Sequence, residues 1–332
     1  MQRYLTQISD GHLHVTAQDT PLPFAGPQQL LVRVQAAGLN RGEILTLRQS
    51  PADTPVSLGI EAAGEIVAVG TGSGAFQAGQ RVMGRCKNAF ADYALMDAHD
   101  AMLVPETLSW VQAAAIPIVS MVVYDMLIAQ GRLAAHEWLL ITGISSGVGV
   151  AALQLAKTLG ARVIGTSGSA AKLAALASQG LDLGIPTRAP DFHDAVMQAT
   201  DGRGANLIVN IVGGSMLAEC VRSLAFQGRL AMVGHVDGVR SSPLDLGALH
   251  GRRLQLFGVS SKGLDAAQRR QIVQGVVNDM LPAIAGGRMP PLIDRVFSFD
   301  DLAQAITLME SNTQIGKIVV VHQQAGQAAS AA

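Results

Sequence analysis

The stretch Leu139-Leu140-Ile141-Thr142-Gly143-Ile144-Ser145-Ser146-Gly147-Val148-Gly149 decides the fold class of this chain. An apolar segment leads into a turn of small residues and then into a predicted helix, and a second apolar segment, Ala161 to Thr166, follows Gly160. Strand, turn, helix and strand within about thirty residues form a βαβ unit, in which the free N–H groups at the start of the helix bind a dinucleotide pyrophosphate. The stretch therefore predicts a dinucleotide-binding site.

The glycine pattern alone is weak evidence for that site. Ser146 occupies the position at which the backbone of a G-x-G-x-x-G fingerprint approaches the pyrophosphate most closely, so the pattern is a variant. The alternative interpretation is an ordinary strand-to-helix turn. Both flanking segments are continuous apolar runs, as in parallel strands that are covered on both faces, and this favours dinucleotide binding.

Length, charge and cysteine content narrow the class of protein. A chain of 332 residues predicts about two domains. The 24 basic and 25 acidic residues are balanced without a basic cluster, which argues against a nucleic-acid partner. The longest apolar region, Ala113 to Ala129, is interrupted and short, so we expect no membrane segment and a cytoplasmic protein. Cys86 and Cys220 lie far apart, which argues against disulfides and against a cysteine-based metal site.

Two kinds of pattern follow each other along the chain. The first hundred residues predict an all-β or barrel-like module, with an N-terminal hairpin and with strands over Leu30–Ala37, Ala62–Val69, Gln80–Gly84 and Phe90–Met96. After Ser109 the pattern predicts a doubly wound sheet, with strands over Trp138–Thr142, Ala161–Thr166, Asn206–Val212, Arg229–Val233 and Leu254–Val259, and helices near 149–159, 169–179, 191–200 and 214–226. The remaining segments are helices over Ala266–Ile284 and Phe299–Met309, a strand over Gly316–Val321, and a tail, 323–332, that we expect to be disordered.

Several segments together resemble the medium-chain dehydrogenase/reductase superfamily, in its zinc-free quinone oxidoreductase (zeta-crystallin-like) branch. They are AAGLNRGEILTLR with Asn40, PVSLGIEAAGEIVAVG, FQAGQRVMG, SGVGVAALQLAKTLGARVIGT and the terminal GKIVVV, which together cover about residues 28–321. The resemblance implies an α/β protein with a GroES-like β-barrel catalytic domain, 1–119 and 263–332, and an inserted Rossmann domain with a doubly wound parallel sheet, 120–262. It also implies a homodimer and an active site in the cleft between the domains.

Metal chemistry separates the branches of this superfamily. Zinc members have a Cys where this chain has Asn40 and a His where it has Ile60, and they carry a lobe with four cysteines. Neither a catalytic nor a structural zinc site can be assembled from these residues, so we predict no metal. Without a Lewis acid to stabilise an alkoxide, reduction of an electron-poor acceptor is the expected reaction.

The resemblance also implies the site residues. Asn40 and Tyr124 are expected beside the nicotinamide, although Asn40 could simply stabilise a turn and Tyr124 could belong to the core. His235 is the conventional acid/base candidate, but a quinone product can take its proton from water. Residues expected to contact the cofactor are Ser145, Ser146, Gly147, Val148, Ser167, Lys172, Arg188, Gly234, Phe257 and Val259.

The choice of cofactor depends on the residues after the second strand. An NAD-selective site places a carboxylate there, whereas Ser167, Gly168 and Ser169 follow in this chain. Lys172 matches the family position whose ammonium approaches a 2′-phosphate, and Arg188 could supply a second cation. We therefore predict NADPH.

Quinone reduction is the predicted activity, and two alternatives stay open. The first is reduction of α,β-unsaturated carbonyls, including enoyl thioesters; related reductases use a Tyr after Asn40, which is absent between Arg41 and Thr54. Glu43 lies in that region, but we expect it to be solvated. The second is a structural or RNA-binding role, for which no basic and aromatic surface is evident. The acceptor is a small molecule in either enzymatic case.

Overall fold

The computed structural model describes residues 1–322, so the tail predicted to be disordered, 323–332, lies outside the described residues. The strands in this part of the chain are β1 (Gln2–Ser9), β2 (His12–Asp19), β3 (Gln29–Leu39), β4 (Val56–Ser57), β5 (Glu61–Val69), β6 (Arg81–Lys87), β7 (Tyr93–Leu103), β8 (Trp138–Thr142), β9 (Arg162–Ser167), β10 (Leu183–Pro186), β11 (Ala205–Asn210), β12 (Leu224–Met232), β13 (Gln255–Gly258), β14 (Ile293–Ser298) and β15 (Lys317–Val321).

The α-helices are α1 (Arg41–Gln49), α2 (Trp110–Ala114), α3 (Pro117–Tyr124), α4 (Gly147–Thr158), α5 (Ala170–Ala177), α6 (His193–Ala199), α7 (Leu217–Ser223), α8 (Leu246–Gly251), α9 (Ala266–Gly275), α10 (Leu281–Ala285) and α11 (Leu302–Ser311). Asp125–Ala129 and Val276–Met280 are π-helical, and short 3₁₀ turns span Gly214–Met216, Ser261–Gly263 and Phe299–Asp301. The largest of these helices has twelve residues. Within residues 1–322, no helix combines the length and the apolar character needed to cross a membrane.

The chain divides into two compact units. Unit 1 contains Met1–Val119, Asp265–Val277 and the chain from Pro291 on, and unit 2 contains Ser120–Leu264 and Asn278–Pro290. Each unit has its own core of buried apolar side chains.

Unit 2 is built on a six-stranded sheet with the order β10-β9-β8-β11-β12-β13. Neighbouring strands are parallel throughout, so their carboxyl ends lie along one edge of the sheet. Leu139, Leu140 and Ile141 of β8 are fully buried, as expected for a central parallel strand covered on both faces. This arrangement confirms the predicted doubly wound sheet.

In unit 1, strands β3, β5, β6 and β7 close into a barrel. Strand β3 pairs with β5 along its length and with β7 through its first residues, while β6 pairs with both β5 and β7. Strand β15 pairs with the second part of β3, and β14 pairs with β15. A small sheet, β2-β1-β4, includes the predicted N-terminal hairpin. The expected combination of a β-barrel with a Rossmann-type sheet is thus confirmed.

The register of unit 1 brings three polar residues to one end of the barrel. Because β3 is antiparallel to both β5 and β15, the end of β3 meets the starts of its two neighbours: Ala37 pairs with Ala62, and Leu39 pairs with Ile318. Asn40 directly follows β3, Glu61 begins β5 and Lys317 begins β15.

Three predicted elements were wrong in extent. The helix predicted over 214–226 ends at Ser223, because Leu224 pairs with Ala205 and begins β12. The helix predicted over 266–284 is interrupted by a π-helical turn just before Pro282, whose ring nitrogen has no N–H to donate. The strand predicted over 90–96 begins at Tyr93 and runs on to Leu103, because its second half pairs with β6.

A contact between two turns of unit 2 gives a testable prediction about packing. A Cβ atom added to Gly165 in β9 would lie 2.4 Å from Cδ1 and 2.9 Å from Cβ of Ile144, whereas a Cβ on Gly251 would meet nothing within 4 Å. Gly165→Ala should therefore overpack the buried Ile144 and lower the stability of unit 2 by about 1–3 kcal/mol. Thermal unfolding should show a lower midpoint for Gly165→Ala than for Gly251→Ala, with part of the loss recovered in Gly165→Ala/Ile144→Val. Equal midpoints in the two single variants would contradict the packing described here.

Candidate functional site

The turn between β8 and α4 forms an open cradle of backbone N–H groups. Gly143 adopts a positive φ of 66°, and Ser146 is the N-cap of α4, where its side chain accepts a hydrogen bond from Gly149 N at 3.1 Å. The first N–H groups of an α-helix have no partner inside the helix, and those of Gly147 and Val148 have none among residues 1–322. The predicted cradle is therefore present as geometry.

Close packing holds this cradle against the sheet. A Cβ on Gly149 would lie 2.4 Å from the carbonyl oxygen of Ile144, so only glycine lets the helix approach the turn this closely. Ile144 and Gly149 are buried, while the residues between them, 145–148, are half-buried. The cradle is thus accessible from one side, and its position is fixed from the other.

A second part of the same sheet edge lies at the ends of β9 and β10. Arg188 is exposed and lies across Gly168: a Cβ on that glycine would be 2.0 Å from Nε of the arginine. Thr187 fixes the loop through a hydrogen bond from its hydroxyl to the Asp191 carboxylate at 2.6 Å. The structure therefore brings Arg188 together with the small residues that follow β9.

Ser167 and Lys172 belong to this region as well. Ser167 is buried and its hydroxyl accepts a hydrogen bond from Ser169 N at 3.3 Å. Lys172 lies in the first turn of α5, half-buried, with its backbone N–H bonded to the N-cap residue Ser169. No carboxylate occurs from Gly165 to Lys172.

The carboxyl ends of β11, β12 and β13 complete the edge. Gly234 is half-buried after β12, Phe257 is half-buried within β13, and Val259 is buried after it, with its N–H donating to Met232 O. Thr142 and Asn210, which sequence reasoning missed, are buried and joined by a 3.0 Å hydrogen bond, so they tie the turn after β8 to the turn after β11.

Two of the three predicted catalytic residues belong to unit 2. Tyr124 ends α3, is half-buried, and makes a hydrogen bond with the carboxylate of Asp279; burial and this carboxylate raise the pKa of Tyr124. His235 is exposed in the loop after β12, where its carbonyl oxygen accepts from Gly238 N. Asn40 belongs to unit 1.

Asn40 is the centre of a polar cluster at the end of the barrel, which consists of Asn40, Glu43, Glu61 and Lys317. Its Nδ2 donates to Oε1 of Glu43 at 3.0 Å and to Oε1 of Glu61 at 2.8 Å. Its Oδ1 accepts from Nζ of Lys317 at 2.8 Å. The Lys317 ammonium also donates to the Glu61 carboxylate and to Leu39 O. We name this group the Asn40 cluster.

Glu43 was expected to be solvated, and this expectation was wrong. Only 3% of Glu43 is exposed. It is the third residue of α1, and its carboxylate accepts from Asn40 N at 3.1 Å and from Gly59 N at 2.6 Å, besides the Asn40 amide. The short distance in sequence to the helix start, an Asn-x-x-Glu pattern, is the signal that could have indicated this role.

Lys317 and Glu61 were not predicted as site residues, although both stood in the motifs that carry the resemblance. Lys317 is 5% exposed and Glu61 is fully buried, and the second carboxylate oxygen of Glu61 accepts from Ile118 N at 2.9 Å. A charged residue that opens a buried strand such as KIVVV needs a partner of opposite charge, and this is the signal that sequence reasoning overlooked.

Burial has a measurable effect on one member of the Asn40 cluster. Removal from water raises the pKa of Glu43 to about 7, against hydrogen bonds from Asn40 and Gly59 that lower it. Since the raised pKa belongs to the folded state, protonation of Glu43 favours folding at low pH, and this contribution is lost as pH rises from about 4.5 to about 7.

We therefore expect the stability difference between wild type and Glu43→Gln to depend on pH. The Gln variant cannot titrate, so the wild type should lose up to about 3 kcal/mol relative to it between those two pH values. Urea unfolding across that range checks this, with the exposed Glu106→Gln as the matched control. A pH-independent difference would show that Glu43 is not buried as described.

Comparisons with known proteins fit this geometry. Residues 26–106 match the family model described as alcohol dehydrogenase GroES-like domain, and residues 147–277 match zinc-binding dehydrogenase. Bovine prostaglandin reductase-3 is 30% identical over 319 residues, which cover 91% of this chain and 84% of the relative. The structure of Escherichia coli quinone oxidoreductase complexed with NADPH superposes with a TM-score of 0.85 at 24% identity, covering 97% of this chain and all of the other.

Much longer proteins match too. A phenolphthiocerol/phthiocerol polyketide synthase of Mycobacterium tuberculosis is 32% identical over 300 residues, or 88% of this chain. Those residues are 13% of the synthase, so this chain spans only about an eighth of the length of that relative.

Among residues 1–322, no group of three or more His, Cys, Asp and Glu side chains is arranged to hold a metal ion. The matching families, the extended similarity to a reductase of nearly the same length, and Asn40 and Ile60 at the two zinc-ligand positions agree on one assignment. The chain belongs to the medium-chain dehydrogenase/reductase superfamily, in its zinc-free quinone oxidoreductase (zeta-crystallin-like) branch.

Proposed function

We propose that this protein is an NADPH-dependent oxidoreductase that transfers hydride to a quinone-type acceptor without a metal ion. The observation that carries the proposal is the Lys317 ammonium, which donates to both Asn40 and Glu61. A cation that is part of the chain thus already occupies the space between these two residues. A second cation at that point would be repelled, and a metal would lack its nitrogen and sulfur ligands.

The two units then divide the work. Unit 2 is the proposed dinucleotide-binding domain predicted over 120–262, and unit 1 the proposed catalytic domain predicted over 1–119 and 263–332. When bound, the nicotinamide supplies the hydride, and the protein binds and orients the reactants. The N–H groups of Gly147 and Val148 are suited to the pyrophosphate, with Ser145 and Ser146 beside them.

Charge at the ends of β9 and β10 supports NADPH rather than NADH. The guanidinium of Arg188 lies against Gly168, and Lys172 lies in the following turn of helix. A guanidinium presents several donors to phosphate oxygens, whereas the ribose hydroxyl of NADH calls for a carboxylate that is absent here. Ser167, Gly234, Phe257 and Val259 are proposed to line the rest of the cofactor site.

Reduction of an enone is the second candidate. It is favoured by the similarity to a prostaglandin reductase of nearly the same length. Against it, no tyrosine follows Asn40 before Thr54, and the buried Glu43 carboxylate is occupied by three N–H donors. Tyr124 and His235 remain the proposed side chains for a proton, and homodimerisation and a cytoplasmic location remain predictions from the resemblance.

The cofactor preference is tested by removing the cations. Arg188→Ala and Lys172→Ala should each weaken NADPH binding about ten- to a hundredfold and leave NADH binding nearly unchanged, because a charge-assisted hydrogen bond contributes about 1.5–3 kcal/mol. Dissociation constants from fluorescence titration measure this. Arg253→Ala, an exposed arginine just before β13, is the control. Equal affinity of the wild type for both cofactors would refute the assignment.

The acceptor class is tested with a panel. NADPH oxidation should be observed with small quinones, more weakly with enones and enoyl thioesters, and not with simple aldehydes, and simple alcohols should be poor substrates in the reverse direction. Dialysis against a strong chelator should leave the rate unchanged. Stoichiometric zinc whose removal abolishes turnover, or alcohol oxidation without quinone reduction, would overturn the proposal.

A further inference from the structure

We infer that Lys317 is the positioning residue of Asn40: its ammonium fixes the Asn40 amide so that both N–H bonds are used inside the Asn40 cluster, and a ligand meets this amide only through Oδ1. This inference deepens the proposed function and rests on it. It concerns which chemical group of the acceptor or product Asn40 can recognise.

The orientation of the amide follows from the charges around it. Nδ2 faces the carboxylates of Glu43 and Glu61, and Oδ1 faces the ammonium of Lys317. The reversed amide would turn its oxygen towards two carboxylates and its NH₂ group towards an ammonium. All three contacts would become repulsive, so one orientation is strongly preferred.

Hydrogen counting then limits what Asn40 can offer. An amide NH₂ group has two hydrogens, and the two carboxylates accept both. A further contact from Nδ2 to Gly38 O, at 3.4 Å, can only share one of them. No N–H bond of this side chain is therefore left for a ligand carbonyl.

Burial limits the point of contact. Glu43, Glu61 and Lys317 are 3%, 0% and 5% exposed, while Asn40 is half-buried. A ligand at this end of unit 1 thus reaches the Asn40 cluster at Asn40 itself. The atom available there is Oδ1, an acceptor.

An acceptor recognises a donor. The carbonyl oxygens of a quinone have no hydrogen to give, whereas the hydroxyl of the hydroquinone formed from it does. We therefore expect Asn40 to bind the hydroxyl of a phenolic product, and not to polarise the carbonyl of the oxidised acceptor.

A matched pair of inhibitors tests this preference. 4-Methoxyphenol carries one hydroxyl, and 1,4-dimethoxybenzene replaces it with a methyl ether. The phenol should inhibit quinone reduction about two- to tenfold more strongly than the ether in the wild type, and equally in Asn40→Ala, since one hydrogen bond is at stake. Lys317→Arg should keep the preference and Lys317→Met should lose it, with the exposed Lys87→Met as control.

A spectroscopic measurement keeps the inference testable if the variants fold poorly. In ¹⁵N-asparagine-labelled wild-type protein, the side-chain NH₂ signals of Asn40 should exchange slowly with solvent, both with and without the phenol. Exchange at the rate of an exposed amide, or equal inhibition by phenol and ether in the wild type, would overturn the inference. If no acceptor in the panel oxidises NADPH, the proposed function fails instead, and the exchange result still stands.

Discussion

The pairing of the Lys317 ammonium with the buried Glu61 carboxylate is the interaction on which unit 1 depends. An isolated charge in an apolar interior is costly, and removal of one partner from a buried pair leaves the other uncompensated. Here the pair joins the starts of β5 and β15 on either side of the end of β3, and Asn40 lies between them. The charges therefore define the local geometry of the barrel end as much as the apolar core does.

In unit 2 the corresponding constraint is steric. Parallel strands bring their carboxyl ends to one edge, and two glycines at that edge permit contacts that a side chain would block: Gly149 against the Ile144 carbonyl and Gly168 against the Arg188 guanidinium. The first contact holds the N–H cradle against the sheet, and the second lets a cation lie across the turn after β9. The missing side chains are as much part of the candidate site as the charges that lie over them.

The sequence predicted the βαβ unit and the succession of β-rich and α/β segments well, because buried parallel strands are continuous apolar runs and a helix start has a local signature. It predicted Asn40 and Arg188 as site residues only through family resemblance. The Asn40 cluster could not be derived, since Asn40 and Lys317 are 277 residues apart and their contact depends on strand register. Strands β10 and β14 were missed because each is a short edge strand without clear alternation, and β10 ends in a proline.

The separation of Glu61 and Lys317 along the chain has a consequence for biosynthesis. During translation, Glu43 and Glu61 leave the ribosome 256 residues or more before the ammonium that compensates them, with all of the parallel sheet made in between. Unit 2 has all six of its strands available before β15 exists, whereas the barrel end of unit 1 has to wait with two carboxylates still in water. The order of synthesis thus delays burial of the charged cluster until nearly the whole chain has been made.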